Sequence, residues 1–326
     1  MALPLSVLDF ATVRPGTSVG EAFQESVTLA QKAEELGYKR VWYTEHHNMG
    51  AIASAAPAVL IAHVATQTHT IRLGSGGVML PNHSPLTIAE QFGTLAELHP
   101  GRIDVGVGRA PGTDQAAVRA MRRDPRAAEE FPQDLQELRG YFNDASLVPG
   151  IRAVPGAGTH VPIYLLGSSL FGARLAAAYG LPYAFASHFA PDALEQAAEV
   201  YREEFEPSEQ LEQPYMMAGV NVVAHEAPHV SVEENEWYRR NRVKLMAGRG
   251  RELTNAELDM VMHSAAGQQI LRMLTYTAVG DGAQVKAYLE DFARRVQADE
   301  LIVAPVGSTA AMAEDSLAVL RAAWGR

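Results

Sequence analysis

Eight times along this chain a short, almost wholly apolar β-type run is followed by a segment with helical periodicity. Near-continuous apolar runs mark strands buried on both faces, as in parallel sheets covered by helices. The runs are LSVLDF (5–10), RVWYTE (40–45), IRLGSGGVML (71–80), IDVGVG (103–108), PIYLLG (162–167), YAFAS (183–187), YMMAGVNVVAH (215–225) and ELIVAPV (300–306). Eight such units in 326 residues point to an α/β fold, a (β/α)8 TIM barrel, read as one domain over 1–326. A doubly wound open sheet is the alternative, because strand order is not written in a sequence. Two connections are too long for simple crossovers, 109–161 after the fourth strand and 226–299 after the seventh. Both are expected to be insertions, placed where lids are commonly built.

Local signals sharpen the helix boundaries. Ser18 and Glu21 have capping-box spacing, and Gly37 ends that first helix as a left-handed cap. Ser54 with Pro57, and Ser84 with Pro85, are expected to open the next two.

Composition removes several function classes. A formal charge of −11, from 27 Lys and Arg against 38 Asp and Glu, disfavours nucleic-acid or anionic-membrane partners. There is no cysteine, so disulfides, thiolate catalysis and cysteine metal sites are excluded. The first residues lack a signal-peptide pattern, and no apolar run is long enough to span a bilayer, so a cytoplasmic protein is expected.

In a barrel the active site lies at the C-terminal strand ends. The second strand ends on Glu45-His46-His47, the third on Gly74 to Gly77, the fourth on Arg109, the fifth on Ser168-Ser169 and the sixth on Ser187-His188. Arg109 suits a phosphate, since guanidinium binds its oxygens bidentately; a surface ion pair is the plainer reading. Ser168 and Ser169 stand where a helix begins, which favours an anion, or they merely cap that helix. Adjacent strand residues point to opposite faces, so His46 and His47 are not expected to ligate one metal ion; one should face the site and the other pack outward. Gly76-Gly77 is either a β-bulge or a side-chain-free surface for a flat ligand. GVGRAPG fails as a dinucleotide fingerprint because Pro111 occupies the third-glycine position.

YTEHHN, LGSGGVMLPNHSPLTIAEQFGTLAELHPGRIDVGVGRAPG and YLLGSSLFGARLAAAYGLPYAFASHF together resemble the bacterial luciferase-like flavin monooxygenase family. The resemblance implies a barrel with insertions and reduced FMN delivered by a separate flavin reductase, with coenzyme F420 as the alternative cofactor. It assigns His46 to proton handling beside the flavin. It assigns Gly76-Gly77 to a non-prolyl cis peptide under the ring, and Arg109 and Ser169 to the flavin phosphate. Ser168 falls where luciferase has a glutamate, Ser187 near a luciferase tryptophan, and Gly108 on a reactive cysteine. Those departures weigh against light emission and not against flavin binding, so Ser168 and Ser187 stay with the cofactor set. The expected activity is transfer of one atom of O2 to a small organic substrate. F420-dependent hydride transfer and non-catalytic flavin binding are the alternatives, with Arg119, Arg122, Arg123 and Arg126 as basic residues for an F420 tail. The resemblance also implies a homodimer through the helices near 55–68 and 85–98, with His47 near the interface.

Overall fold

Seven of the eight apolar runs form one parallel strand each and the third forms two, and together they close on themselves. The computed structural model describes residues 3–110, 113–124, 126–248, 251 and 253–325; Pro111 lies outside them. The strands are β1 (Leu5–Asp9), β2 (Arg40–Tyr43), β3 (Arg72–Ser75) continued by β4 (Val78–Met79), β5 (Ile103–Gly108), β6 (Ile163–Gly167), β7 (Tyr183–Phe185), β8 (Met216–Ala224), β9 (Thr277–Gly280) and β10 (Glu300–Pro305). Pairing runs β10-β1-β2-β3-β5-β6-β7-β8, and β8 pairs β10 from Met217 opposite Glu300 to Val222 opposite Pro305. That last ladder closes the barrel and removes the open-sheet alternative. The fold is the TIM barrel expected from the sequence.

The third run is not one strand. It breaks at Gly76-Gly77, whose peptide bond is cis, into β3 and β4. The sequence reading also missed β9. It pairs with the upper half of β8, residues Asn221 to Ala224, on the edge whose lower half carries β7.

The helices between strands are α1 (Val19–Glu35), α2 (Pro57–Ala65), α3 (Pro85–Leu98), α4 (Gln115–Ala120), α5 (Phe131–Phe142), α6 (Leu170–Ala178), α7 (Leu194–Glu203), α8 (Pro228–Gly248), α9 (Asn255–His263), α10 (Ala265–Arg272), α11 (Gly282–Arg295) and α12 (Ala310–Trp324). At α1 both capping-box bonds form, and Gly37 takes φ +76°. Ser84 caps α3 through the Thr87 amide. Ser54 does not cap α2; Ala56 holds that position, and the buried Ser54 hydroxyl donates to the Thr44 carbonyl. A loop-to-strand tie replaced the local cap. No helix among the described residues is long and apolar enough to cross a membrane.

Period-two alternation sorts each strand's side chains. Val41 and Tyr43 join the outer core beneath the helices, whereas Trp42 joins Leu8, Tyr164, Met217 and Ile302 in the lumen. At the N-terminal end the lumen is ionic. Arg40, fully buried, meets Asp104 at 2.7 Å, Glu300 at 2.9 Å and the Tyr164 hydroxyl at 2.7 Å. The opposite end, where the strands finish, is the candidate site.

Candidate active site at the barrel mouth

The alternation continues past the end of β2 and separates its two histidines. Thr44 and His46 follow Trp42 on the inner face; Glu45 and His47 follow Tyr43 on the outer face. His46 Nδ1 lies 3.1 Å from Thr44 Oγ1. Its ring meets Phe10 at the end of β1, centroids 6.1 Å apart, and Phe10 meets His188 beyond β7 at 5.9 Å. His46, Phe10 and His188 therefore form one wall across the mouth. Burial, and then the charge of Arg242 on α8, pushes His46 down to about 4 and His188 down to about 3. Both rings are neutral at pH 7. With Nδ1 engaged by Thr44, Nε2 is the His46 atom left to accept or pass on a proton.

On the outer face, Glu45 is fully buried and binds three donors. His47 Nε2 and His83 Nε2 both donate to Oε1, at 2.9 and 2.8 Å, and the Met79 amide donates to Oε2 at 3.2 Å. Burial pushes this carboxyl up, but the donors outweigh it and its pKa ends below the ordinary value. The Glu45 bond in turn raises His47. Glu45 thus ties β4, which follows the Gly76-Gly77 bond, to the His47 side of β2. Among the described residues no group of His, Asp or Glu is arranged to hold a metal ion.

The two glycines are required by the wall behind them. A Cβ on Gly76 would stand 2.7 Å from Leu8 Cδ1 and 3.0 Å from Trp42 Cβ; one on Gly77 would stand 2.7 Å from the Gly106 carbonyl oxygen. The barrel wall, and not a ligand, fills the space a side chain would need.

Arg109, Ser168 and Ser169 gather on neighbouring strand ends. The Arg109 guanidinium lies 4.2 Å from the Phe171 ring centroid, and Phe171 is in the first turn of α6. Among the described residues no carboxylate pairs with Arg109, so the surface ion pair is not what holds it. Ser169 is the residue preceding α6, yet its side chain makes no cap bond. The simple capping explanation therefore fails for Ser169. Tyr183 fixes this corner from below by donating to the Ser169 carbonyl at 3.0 Å. An exposed cation, two exposed hydroxyls and a helix N-terminus lie together there, which is the chemistry of an anion site. Ser187 stands apart: it is fully buried, and its hydroxyl donates to the Gly219 carbonyl at 2.6 Å.

Phe10, Glu45, His83, His188 and Arg242 were not among the sequence candidates. Glu45 and His188 were visible as strand-end residues, and Phe10 closes the first apolar run; His83 and Arg242 carried no local signal. An open depression of about 600 Å³ lies elsewhere, on the flank between α5 and the end of α6. Its Arg139 is engaged with the Tyr179 carbonyl at 3.1 Å.

The neutral rings have a consequence for acid stability. His46 and His188 titrate near 6.5 when unfolded and near 4 and 3 when folded. Between those values the unfolded chain binds more protons, so their stabilisation is complete above about pH 6.5 and fades as pH falls towards 4. His47 acts oppositely: its contribution is present below 6.5 and is lost as pH rises. The carboxyls of Asp9 and Asp134, raised by burial, the latter to about 6, act in the same direction as His47; the two buried histidine rings are expected to outweigh all three. The urea midpoint should therefore fall between about pH 7 and pH 5, before most carboxylates titrate. A midpoint that is flat or rises over that interval contradicts the burial of neutral rings.

Comparison with known proteins agrees with the barrel fold. A family model described as luciferase-like monooxygenase matches residues 3–299. The luciferase-like monooxygenase of Escherichia coli strain K12 is 47% identical over 304 residues, covering 92% of this chain and 91% of that one. The crystal structure of apo-MsnO8 superposes with a TM-score of 0.86 at 32% identity, over 98% of each chain. A type II Baeyer–Villiger monooxygenase, the FMN-bound oxygenating constituent of 3,6-diketocamphane monooxygenase from Pseudomonas putida, shares the fold with a TM-score of 0.74 at 18% identity, over 98% of this chain and 96% of that one. The chain belongs to the luciferase-like monooxygenase family of oxidoreductases.

Proposed function

We propose that this chain is a monooxygenase that takes reduced FMN from a separate flavin reductase and transfers one atom of O2 to a small organic substrate. The observation that carries the reading is Arg109, without a carboxylate partner among the described residues, set against Phe171 in the first turn of α6, whose preceding Ser169 makes no side-chain cap bond. Such a corner fits a terminal phosphate dianion. Arg109, Ser168 and Ser169 would hold that phosphate, with the ring system placed inward over the Gly76-Gly77 backbone. Ser187 would act from beneath by fixing the β8 backbone at Gly219. When bound, reduced FMN supplies the two electrons that oxygen activation needs. The chain supplies the rest: Phe10 and the neutral His46 and His188 rings keep the mouth poor in water, and His46 Nε2 accepts or hands over a proton.

The F420 reading draws less support from the residues. Arg119, Arg122, Arg123 and Arg126 are exposed, and Arg126 pairs with Asp124 at 3.6 Å, as in a solvated charge run. Mixing the purified chain anaerobically with photoreduced FMN, and separately with reduced F420, then admitting air, separates the readings. Tight FMN binding with reoxidation kinetics unlike free FMN supports the proposal. Binding of F420 alone, or FMN reoxidation identical to the free cofactor, overturns it. Flavin retained with no oxygen-dependent product from any substrate identifies a binding protein instead.

The family resemblance and the apolar outer residues Val59 on α2 and Leu98 on α3, 71% and 64% exposed, support a homodimer through those helices. Light scattering at micromolar concentration should give the mass of two chains; a single-chain mass rejects this.

A further inference from the structure

The inner face of α8 carries a polar stripe at Ser231, Glu234, Tyr238 and Arg242, spaced three, four and four residues apart. The first three members are each tied to the barrel rim. Ser231 donates to the Gly280 carbonyl at 2.8 Å. Glu234 accepts from the Ser308 amide at 2.6 Å and the Ser308 hydroxyl at 2.7 Å. Tyr238 donates to Asn221 Oδ1 at 3.2 Å, and the Asn221 amide donates to the His188 carbonyl at 2.7 Å. One turn further on, Arg242 has no such tie among the described residues. Its Nε is buried without a hydrogen-bond partner. Its neighbours Arg239 and Arg240 have carboxylates, Glu236 at 3.8 Å and Asp259 at 2.5 Å, but no carboxylate pairs with Arg242 among the described residues.

The cation also faces unusual company. Its charge is felt by His46 and His188, both neutral. His188 is itself buried, 8% exposed, and its Nδ1 has no partner; that atom packs 2.5 Å from where a Gly219 Cβ would stand. Phe10 supplies an apolar surface between the two rings. A buried guanidinium donor left unmatched is costly, and the cheapest match is a bidentate anion. In a chain of net charge −11 that anion must be recognised locally, because the long-range field repels it.

We infer that Arg242 is the substrate-recognition residue of this site, and that the substrate is an organic carboxylate whose apolar body rests on Phe10. This rests on the monooxygenase reading and adds the substrate class to it. Phosphate of the cofactor is a second source of the same negative charge, and in the proposed reading that source already has Arg109 and the start of α6.

Hexanoate and its uncharged isostere hexanamide are the probes, titrated calorimetrically into the FMN-loaded chain and into Arg242→Met and Arg242→Lys variants. FMN affinity is read from flavin fluorescence in the same samples, and folding from thermal unfolding. The wild type should bind hexanoate about ten- to a hundredfold more tightly than hexanamide. Arg242→Met should erase that preference, and Arg242→Lys should keep part of it, with FMN affinity unchanged in both. A wild type without preference, whether both probes bind alike or neither binds, overturns the inference. So does a preference that survives in a folded Arg242→Met variant, or a loss of FMN affinity there, which would assign the cation to the cofactor. Failure of the wild type to bind FMN at all is a different result: it removes the monooxygenase reading itself.

Discussion

Replacing Arg40 by methionine is expected to cost about 3–5 kcal/mol of stability, the penalty for removing one partner of a buried ionic network. Methionine nearly conserves volume, so the loss would be electrostatic and not a cavity effect. Arg40 sits between Asp104 and Glu300, both fully buried, and its own side chain is 2% exposed. Burial pushes Glu300 up, and the Arg40 and Lys39 cations more than reverse this, so it is held below the ordinary carboxylate range. Without Arg40, Glu300 keeps Lys39 at 2.9 Å and Tyr215 at 2.6 Å, while Asp104 keeps Arg72. Those partners are more exposed or already committed, and the lumen between the two carboxylates is left with uncompensated charge. Arg40→Lys should lose less than methionine but more than nothing, because one ammonium cannot reach both carboxylates and the Tyr164 hydroxyl as the fork does. Urea unfolding of the three proteins decides it. A shift of the midpoint worth less than about 1 kcal/mol for Arg40→Met would mean water solvates the barrel base, and the network would then be a surface feature.

The barrel was legible because its strands are buried on both faces and its helices on one, and those patterns are local. The division between His46 and His47 was legible for the same reason: period two fixes opposite faces wherever an extended segment runs. Arg109 and Ser169 could be paired only through the rule that strand ends share a rim. Other features depend on contacts between residues far apart in the chain. Glu45 reads as one carboxylate in a row, but its partner His83 comes from the segment after β4. Arg242 reads as one basic residue in YRRNR; only the docking of Tyr238 on Asn221 shows that its helix is tied to the barrel rim. Ser54 has the right type for a cap, and a carbonyl across the loop captured it first. The break in the third strand was foreshadowed by Gly76-Gly77, although the reason for the glycines, a wall formed by Leu8, Trp42 and Gly106, was not.

His46→Ala is expected to lower oxygenating turnover about 10²–10⁴-fold, the usual worth of a positioned general acid–base group. FMN affinity should be little changed, since Arg109 and Ser169, the proposed phosphate site, lie on other strand ends. The ordinary histidine pKa of about 6.5 suggests a ring that is partly charged at neutral pH. The folded site differs. Burial and the Arg242 charge bring His46 to about 4. Only about one ring in a thousand is then protonated at pH 7. His46 would work as a neutral ring whose Nε2 takes a proton and returns it, with Thr44 holding Nδ1 and hence the ring plane. Two results follow that a purely structural histidine would not give. The pH profile of turnover should stay level through 6.5 and fall only as the ring protonates nearer 4. His46→Gln, which keeps a hydrogen-bonding side chain but cannot carry the proton, should be about as slow as His46→Ala while retaining the fold. In both variants O2 uptake should continue without matching product, because in the proposed reaction FMN reoxidation would not need the ring, whereas proton transfer to the substrate oxygen would. A variant that keeps turnover within a fewfold of wild type, or a wild-type profile breaking near 6.5, would move the proton-handling role from His46 to another group at the mouth.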